Sequence, residues 1–218
     1  MRVYYLSTAE YAIQNIQRAR LKVSTFEDLN DPFELLGAEL SDQARRKALH
    51  LFKADAHASM GLLCFGRTWD NPVMWSHYGD KHRGICLGFD IPDKFAVLVN
   101  YVTARTAFKF QDDLESKGVH PQFALDLMRS KYEDWRYEKE VRMFIGLDEA
   151  ERDPDGLYFY DFGAHLILKE VIIGPRCDIS IQTVLAGLEK MASTAKVVKA
   201  RLGFRTFRVV TDRRSLTL

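Results

Sequence analysis

The chain has 218 residues, 31 basic and 30 acidic, with 47% hydrophobic and 28% charged side chains, a balance that excludes a disordered, collagen-like or coiled-coil chain. Its apolar stretches fall short of the ~18 residues of a membrane helix, and no apolar segment of signal-peptide length follows the first charges. Three dispersed cysteines (Cys64, Cys86, Cys177) have neither metal nor redox spacing, so the expectation is a cytoplasmic, single-domain protein over residues 1–218 that meets no membrane.

Taken in chain order, residues 3–6 read as a strand. Ser7 then opens a helix, and Glu10 three residues on completes a capping box. Ile13 and Ile16 supply that helix with an apolar face, which ends near Arg20. Residues 21–24 form a second short strand. Asn30-Asp31-Pro32 breaks the chain, and a helix is predicted over 42–58 with Ser41 as its cap. Residues 60–66 read as a buried strand. Asp70-Asn71-Pro72 starts a short helix that carries 73–78. Strands follow at 84–90 and 97–102, a helix at 121–135, and strands at 141–145, 158–162 and 166–173. A helix over 179–193 precedes two closing strands at 197–202 and 204–210. Strands and helices mix without strict alternation. The expected fold is therefore α+β, with mostly antiparallel mixed sheets and flanking helices.

Near-zero net charge hides an asymmetry. Residues 111–155 hold 13 acidic and 7 basic side chains, whereas 196–214 hold seven basic ones and a single acid, Asp212. The basic C-terminal strands read either as a solvated surface or as a face for phosphate and nucleic acid.

Three stretches concentrate chemistry. Asn30-Asp31-Pro32-Phe33-Glu34 is a turn by composition, or a loop placing Asn30, Asp31 and Glu34 at a site rim. The run 70–84 crowds Trp75, Ser76, His77, Tyr78, His82 and Arg83 into a short span. The strand after it sets Ile85, Leu87 and Phe89 on one face and Gly84, Cys86 and Gly88 on the other, as if a backbone, a helix or a ligand came close. In the run 135–145, period-2 alternation gives Val141, Met143 and Ile145 to the core and puts Glu138, Glu140 and Arg142 together on the other face. That trio is either a surface ion-pair ladder or a catalytic acid with its arginine partner. No dinucleotide fingerprint, phosphate loop or zinc spacing occurs.

Together these stretches resemble a large bacterial family of unknown function. Its pattern includes an NDPFE loop (30–34), a Cys-Phe strand (Cys64-Phe65), MWSHY…H.G.C.GFD (74–90) and W.YE.E.R (135–142). The order of elements also resembles ADP-ribosyltransferases, in particular the DNA-modifying toxins of toxin–antitoxin pairs. Tyr5-Leu6-Ser7-Thr8, the helix after it and Arg20–Ser24 follow that order, as do Asn71-Pro72-Val73-Met74 and a late glutamate strand. The usual His or Arg of the first strand is missing, and Tyr4, Tyr5 or Ser7 stands in its place.

This second resemblance implies transfer of ADP-ribose from NAD, or NAD hydrolysis, by a toxin or phage-defence effector. NAD is then a substrate, with no metal involved. Glu140 beside Arg142 would be the catalytic carboxylate, with Glu138 as the other candidate. Tyr5, Trp75 and Tyr78 would wall the nicotinamide, and His77 or His82 would bond ribose or phosphate. Arg83 would neutralise the pyrophosphate, while Asn30 and Asp31 close the rim. The acceptor, a protein or a nucleic acid, would meet the basic C-terminal strands, and an antitoxin would be the natural partner. Two other classes stay open. One is a metal-dependent nuclease or phosphodiesterase using His77, His82, Asp31 and Glu138 or Glu140. The other is a non-catalytic module binding nucleic acid or protein.

Overall fold

The structure is a computed structural model and describes residues 1–39, 41, 43–105 and 121–216. The described elements run β1 (Arg2–Ser7), α1 (Ala9–Arg18), β2 (Arg20–Val23), α2 (Gln43–Ser59), β3 (Met60–Gly66), α3 (Pro72–His77), β4 (Ile85–Asp90), β5 (Val97–Leu98) and β6 (Asn100–Val102). After them come α4 (Pro121–Met128), β7 (Ser130–Tyr132), a 3₁₀ segment (Glu133–Glu138), β8 (Glu140–Gly146), β9 (Glu151–Arg152), β10 (Tyr158–Asp161), β11 (Ile167–Ile173), α5 (Ile181–Lys190), β12 (Lys196–Leu202) and β13 (Val209–Thr211).

The fold is α+β, built on an eight-stranded mixed sheet in the order β13-β12-β11-β4-β1-β3-β8-β5. Every pair in it is antiparallel except β11 with β12. That parallel pair needs a crossover, and α5 supplies it. Small sheets β2-β10-β9 and β6-β7 flank the large one. No described helix is long and apolar enough to cross a membrane.

The two faces of the large sheet differ in chemistry. On one, Val3, Phe65, Ile85, Leu87, Phe89, Val141, Met143, Ile145, Val171 and Ile173 are buried beneath Ala12 and Ile16 of α1 and Val184 and Leu188 of α5. Burial of a side chain of this size contributes roughly 1.5–3 kcal/mol. The other face is apolar towards β11 and β12, where Cys86, Ile172 and Val198 pack on Trp75, and around Leu62 of β3, which packs with Phe26, Leu35 and Ala56. Across β1-β3-β8 the pairings Tyr4–Gly66 and Cys64–Arg142 put Tyr4, Cys64, Glu140 and Arg142 on this second face.

Several predicted elements shift. Ser7 belongs to β1, paired with Ile85, so its backbone is extended and the helix cap passes to Thr8, whose hydroxyl accepts from the Tyr11 N–H at 3.2 Å. At the predicted cap of α2 the Ser41 hydroxyl bonds Glu39 at 2.8 Å, and Asp42, the predicted first residue of the helix, lies outside the described residues. The predicted strand 97–102 is split: β5 pairs with β8, the Val99 N–H donates to the Glu140 carbonyl at 3.2 Å, and β6 turns to β7. The predicted helix 121–135 ends at Met128, because β7 pairs in parallel with β6. The predicted strand 204–210 forms only at Val209–Thr211, after a loop.

The glycine face of β4 accommodates neighbouring chain at its two glycines and helix α3 at Cys86, which packs on Trp75. A Cβ at Gly84 would lie 2.0 Å from the Ser7 carbonyl oxygen and 2.9 Å from Gly79, and a Cβ at Gly88 would meet Tyr4 and Glu170 at 3.2 Å. Neighbouring backbone is too close at Gly84 for any side chain. The substitution Gly84→Ala is expected to lower unfolding stability by about 3 kcal/mol or more, measured by urea denaturation; a loss below about 1 kcal/mol would contradict this packing.

Candidate active site

Five charged side chains are buried together on the second face: Glu34 (3% exposed), Lys131 (6%), Glu138 (4%), Glu140 (6%) and Arg142 (0%). These values exclude the surface-ladder reading of Glu138, Glu140 and Arg142. Isolated charges are too costly to bury, so each must find a partner.

Arg142 makes five hydrogen bonds. Its Nη1 and Nη2 grip the Glu34 carboxylate at 2.9 and 2.6 Å, and Nε and Nη2 grip Glu140 at 2.8 and 3.2 Å. The fifth, from Nη1, goes to the Met128 carbonyl at 2.6 Å, satisfying one of the unpaired carbonyls at the end of α4. Lys131 Nζ lies 2.6 Å from Glu138, 3.2 Å from Glu140 and 3.9 Å from Glu34, under the Trp135 ring at 4.7 Å. Three carboxylates against two cations leave the cluster acidic by one charge when all are ionised.

Local structure aims each group inward. The Asn30–Glu34 segment is indeed a turn: Asp31 accepts from the Phe33 N–H at 2.9 Å through its side chain and from the Glu34 N–H at 3.1 Å through its carbonyl. That turn is also what swings Glu34 onto Arg142. Helix α3 is capped by Asn71, which accepts from the Val73 N–H at 2.9 Å, while its amide donates to the Tyr137 carbonyl at 3.0 Å. The same residue thus ties α3 to the 3₁₀ segment carrying Glu138. Lys139, at φ 48°, makes the step from that segment into β8, so Glu138 is off the strand yet joins its buried face.

Burial works to raise both Glu34 and Glu140. At Glu34 it prevails over Arg142, and the carboxyl sits above its usual range. At Glu140, Arg142 and Lys131 prevail with help from the Cys64 thiol, and the carboxyl sits below its usual range. The extra partners explain the different outcomes. Burial and the nearby Glu140 push the Cys64 thiol well up. Burial also raises Tyr101, to about 12, with its hydroxyl accepting from the Glu140 N–H at 2.8 Å.

These groups line a cleft of about 220 Å³, with Tyr4, Asn30, Cys64, Tyr78, Lys131 and Glu138 among its walls. A hydrogen-bond chain crosses it: the Asn30 amide donates to the Tyr78 hydroxyl at 2.7 Å, which donates to Glu138 at 2.5 Å. Burial and the Glu138 bond push the Tyr78 phenol upward. Glu34 and Glu140 also border the cleft, but both oxygens of each are engaged by Arg142. Glu138 has one donor per oxygen, Tyr78 on one and Lys131 on the other, and a carboxylate can accept about four. A second hollow of about 450 Å³ shares Tyr4 with the cleft and is bordered by Arg67, Thr68, Asp70, Arg208 and Thr211.

Of the residues singled out from the sequence, Asn30, Glu34, Tyr78, Glu138, Glu140 and Arg142 come together here. Tyr5 touches the cleft, but its ring packs edge-on against Phe65 in the core, 6.1 Å between centroids. Tyr4, one residue earlier, is the tyrosine on the cleft face. Trp75 cannot wall a ligand: it is fully buried, with its indole N–H on the Trp69 carbonyl at 2.5 Å. Ser7 ends β1, with its hydroxyl on the Thr8 carbonyl. Asp31 is held in its turn. His77 is exposed beside the rings of Tyr78 and Tyr137. His82 stacks on Trp75 and places Nε2 3.2 Å from the Ser76 hydroxyl, and Arg83 is exposed. The two histidines therefore have separate surroundings, and among the described residues no three of His, Cys, Asp and Glu are grouped to hold a metal ion. Lys131 escaped sequence reading, because its surroundings in the chain pattern as a helix.

Replacing Arg142 leaves two buried carboxylates without their guanidinium. Arg142→Met is expected to lose about 3–5 kcal/mol at pH 7. The loss should shrink as pH falls towards 4.5, the ordinary carboxyl value, because the abandoned acids then take up protons. Wild-type Glu140, whose carboxyl is held low, contributes stability present above that value and lost as pH falls through its folded value. Urea unfolding of both proteins at pH 7 and pH 5 checks this; a deficit that grows on acidification would contradict it.

A family model described as "Protein of unknown function (DUF2971)" matches residues 74–143. The match contains the 74–90 and 135–142 motifs, hence Tyr78, Lys131, Glu138, Glu140 and Arg142, and leaves out the turn that brings Glu34. No curated protein and no solved structure matches the chain.

Proposed function

We propose that the cleft binds NAD and that Glu138 is the carboxylate serving cleavage of its ribose–nicotinamide bond. The observation that carries this reading is the state of Glu138: it lines the cleft, is oriented by Lys131 and Tyr78, and keeps acceptor capacity that Glu140 has lost to Arg142.

In the reaction, the bond between ribose C1′ and the nicotinamide nitrogen breaks and its electron pair leaves with nicotinamide. Positive charge develops on the ribose, and an anionic carboxylate in a poorly solvated site stabilises it. An acceptor hydroxyl, amine or water then bonds to C1′ and releases its proton. The residual negative charge of the cluster suits a ligand whose nicotinamide end is cationic. Tyr4 offers an aromatic wall, and Arg67 in the adjoining hollow suits the pyrophosphate. Arg142 acts as a positioning group beneath the cleft, through the Glu34 and Glu140 carboxylates that border it. The acceptor is a macromolecule or water.

Two variants test these roles. Glu138→Gln keeps size and an oxygen for Tyr78 but turns an amide NH2 towards Lys131, so it is expected to fold with a lowered Tm, while nicotinamide release by the folded protein falls about 10²–10³-fold. Glu140→Gln should also lower Tm, because it weakens the grip of Arg142. A thermal shift comes first: NAD at about 100 times its Kd should stabilise by about 2.7 kcal/mol. Full activity in folded Glu138→Gln, or no shift with millimolar NAD, ADP-ribose and nicotinamide, would overturn the reading.

A further inference from the structure

The two most exposed large apolar side chains among the described residues sit in one loop. Phe204 is 86% and Phe207 98% exposed, between β12 and β13. The loop is tight. Its ends close through the Gly203 N–H on the Arg208 carbonyl at 2.8 Å, and a Cβ at Gly203 would lie 2.9–3.0 Å from Thr206 and Arg208. Arg208 pins its base to Asp70 at 2.6 Å. A loop fastened this way cannot fold its rings back onto the core.

Two arginines stand next to Phe204. The Arg201 guanidinium lies 4.3 Å from the centre of Phe204, covering one ring face, and Arg205 is exposed between the two phenylalanines. Over residues 196–214 seven basic residues face one acid. A matching partner must be a polyanion that also presents flat, unsatisfied apolar faces. Single-stranded nucleic acid does both, since unpaired bases stack on aromatic rings while arginines meet the phosphates. In a duplex those base faces are already stacked. A bilayer fits less well, because sinking Phe204 into lipid would drag the Arg201 guanidinium into the apolar layer.

We propose that the β12–β13 loop is a docking platform for single-stranded nucleic acid, with Phe204 and Phe207 stacking on bases and Arg201 and Arg205 facing phosphates. The proposal stands apart from the reading of the cleft.

Fluorescence anisotropy with labelled oligothymidine, oligouridine and a duplex, across a salt series, tests it on the full chain. Both single strands should bind, the duplex more weakly, with affinity falling steeply as salt rises. Phe204→Ala and Phe207→Ala should each weaken binding about 5- to 100-fold with unchanged Tm and salt slope. Arg205→Gln should reduce the slope by about 0.7. Glu138→Gln should bind as wild type does, so failure of the cleft reading and failure of this one are distinguishable. No oligonucleotide binding, equal binding by the double phenylalanine variant, a duplex bound as tightly as single strands, or preference for phosphatidylserine vesicles over oligonucleotides would each overturn the proposal.

Discussion

Everything on the second face of the sheet depends on where one guanidinium sits. Arg142 projects from β8 and takes hold of a turn, a neighbouring strand residue and the last carbonyl of a helix at once. Buried ion pairs are seldom a large source of net stability, since removing charges from water costs about as much as their attraction returns. Their effect here is geometric. A planar fork with two carboxylates in its grip allows one arrangement of the 30–35 turn, β8 and the end of α4, and the cleft is the space left between them.

The cluster also divides labour among its acids. Glu140 is fully engaged and held ionised; Glu34 is engaged by Arg142 but raised by burial. Glu138, reached through the left-handed Lys139, faces the cleft with neither oxygen held by Arg142. Three glutamates within reach of one lysine thus occupy three electrostatic environments. Sequence spacing ranked Glu140 ahead of Glu138 because it stands beside Arg142 in the chain. In space that proximity is what takes Glu140 out of contention as the reading proposed here assigns roles.

Much of the fold was legible from period and punctuation. The alternation Val141-Met143-Ile145 set against Glu140-Arg142 told the two faces of β8 apart, and Asn71-Pro72 marked the start of α3. The α+β class followed from irregular alternation of elements. The misread parts share a cause. At Ser130–Tyr132 and Val97–Val102, long-range pairing overrides local pattern, and neither partner is visible from the other's neighbourhood. The site was half legible for the same reason. Tyr78, Glu138, Glu140 and Arg142 belong to two dense motifs. Lys131, and the inward turn of Glu34, depend on contacts with residues far off in the chain. Trp75 shows the converse error: an aromatic inside a chemistry-rich motif that serves only to fill the core under β4.

The place of β1 in the sheet bears on how the chain comes to be folded. β1 sits in the middle of the sheet, between β3 and β4, both of which follow it in the chain, and Arg2 bonds Asp90 across a separation of 88 residues. Its apolar edge therefore emerges without neighbours and stays unpaired through the synthesis of both. Pairings of such long range close slowly and leave strand edges open to wrong partners meanwhile. Folding yield should therefore depend on translation speed and chaperone supply more than in a sheet whose neighbouring strands follow one another in the chain.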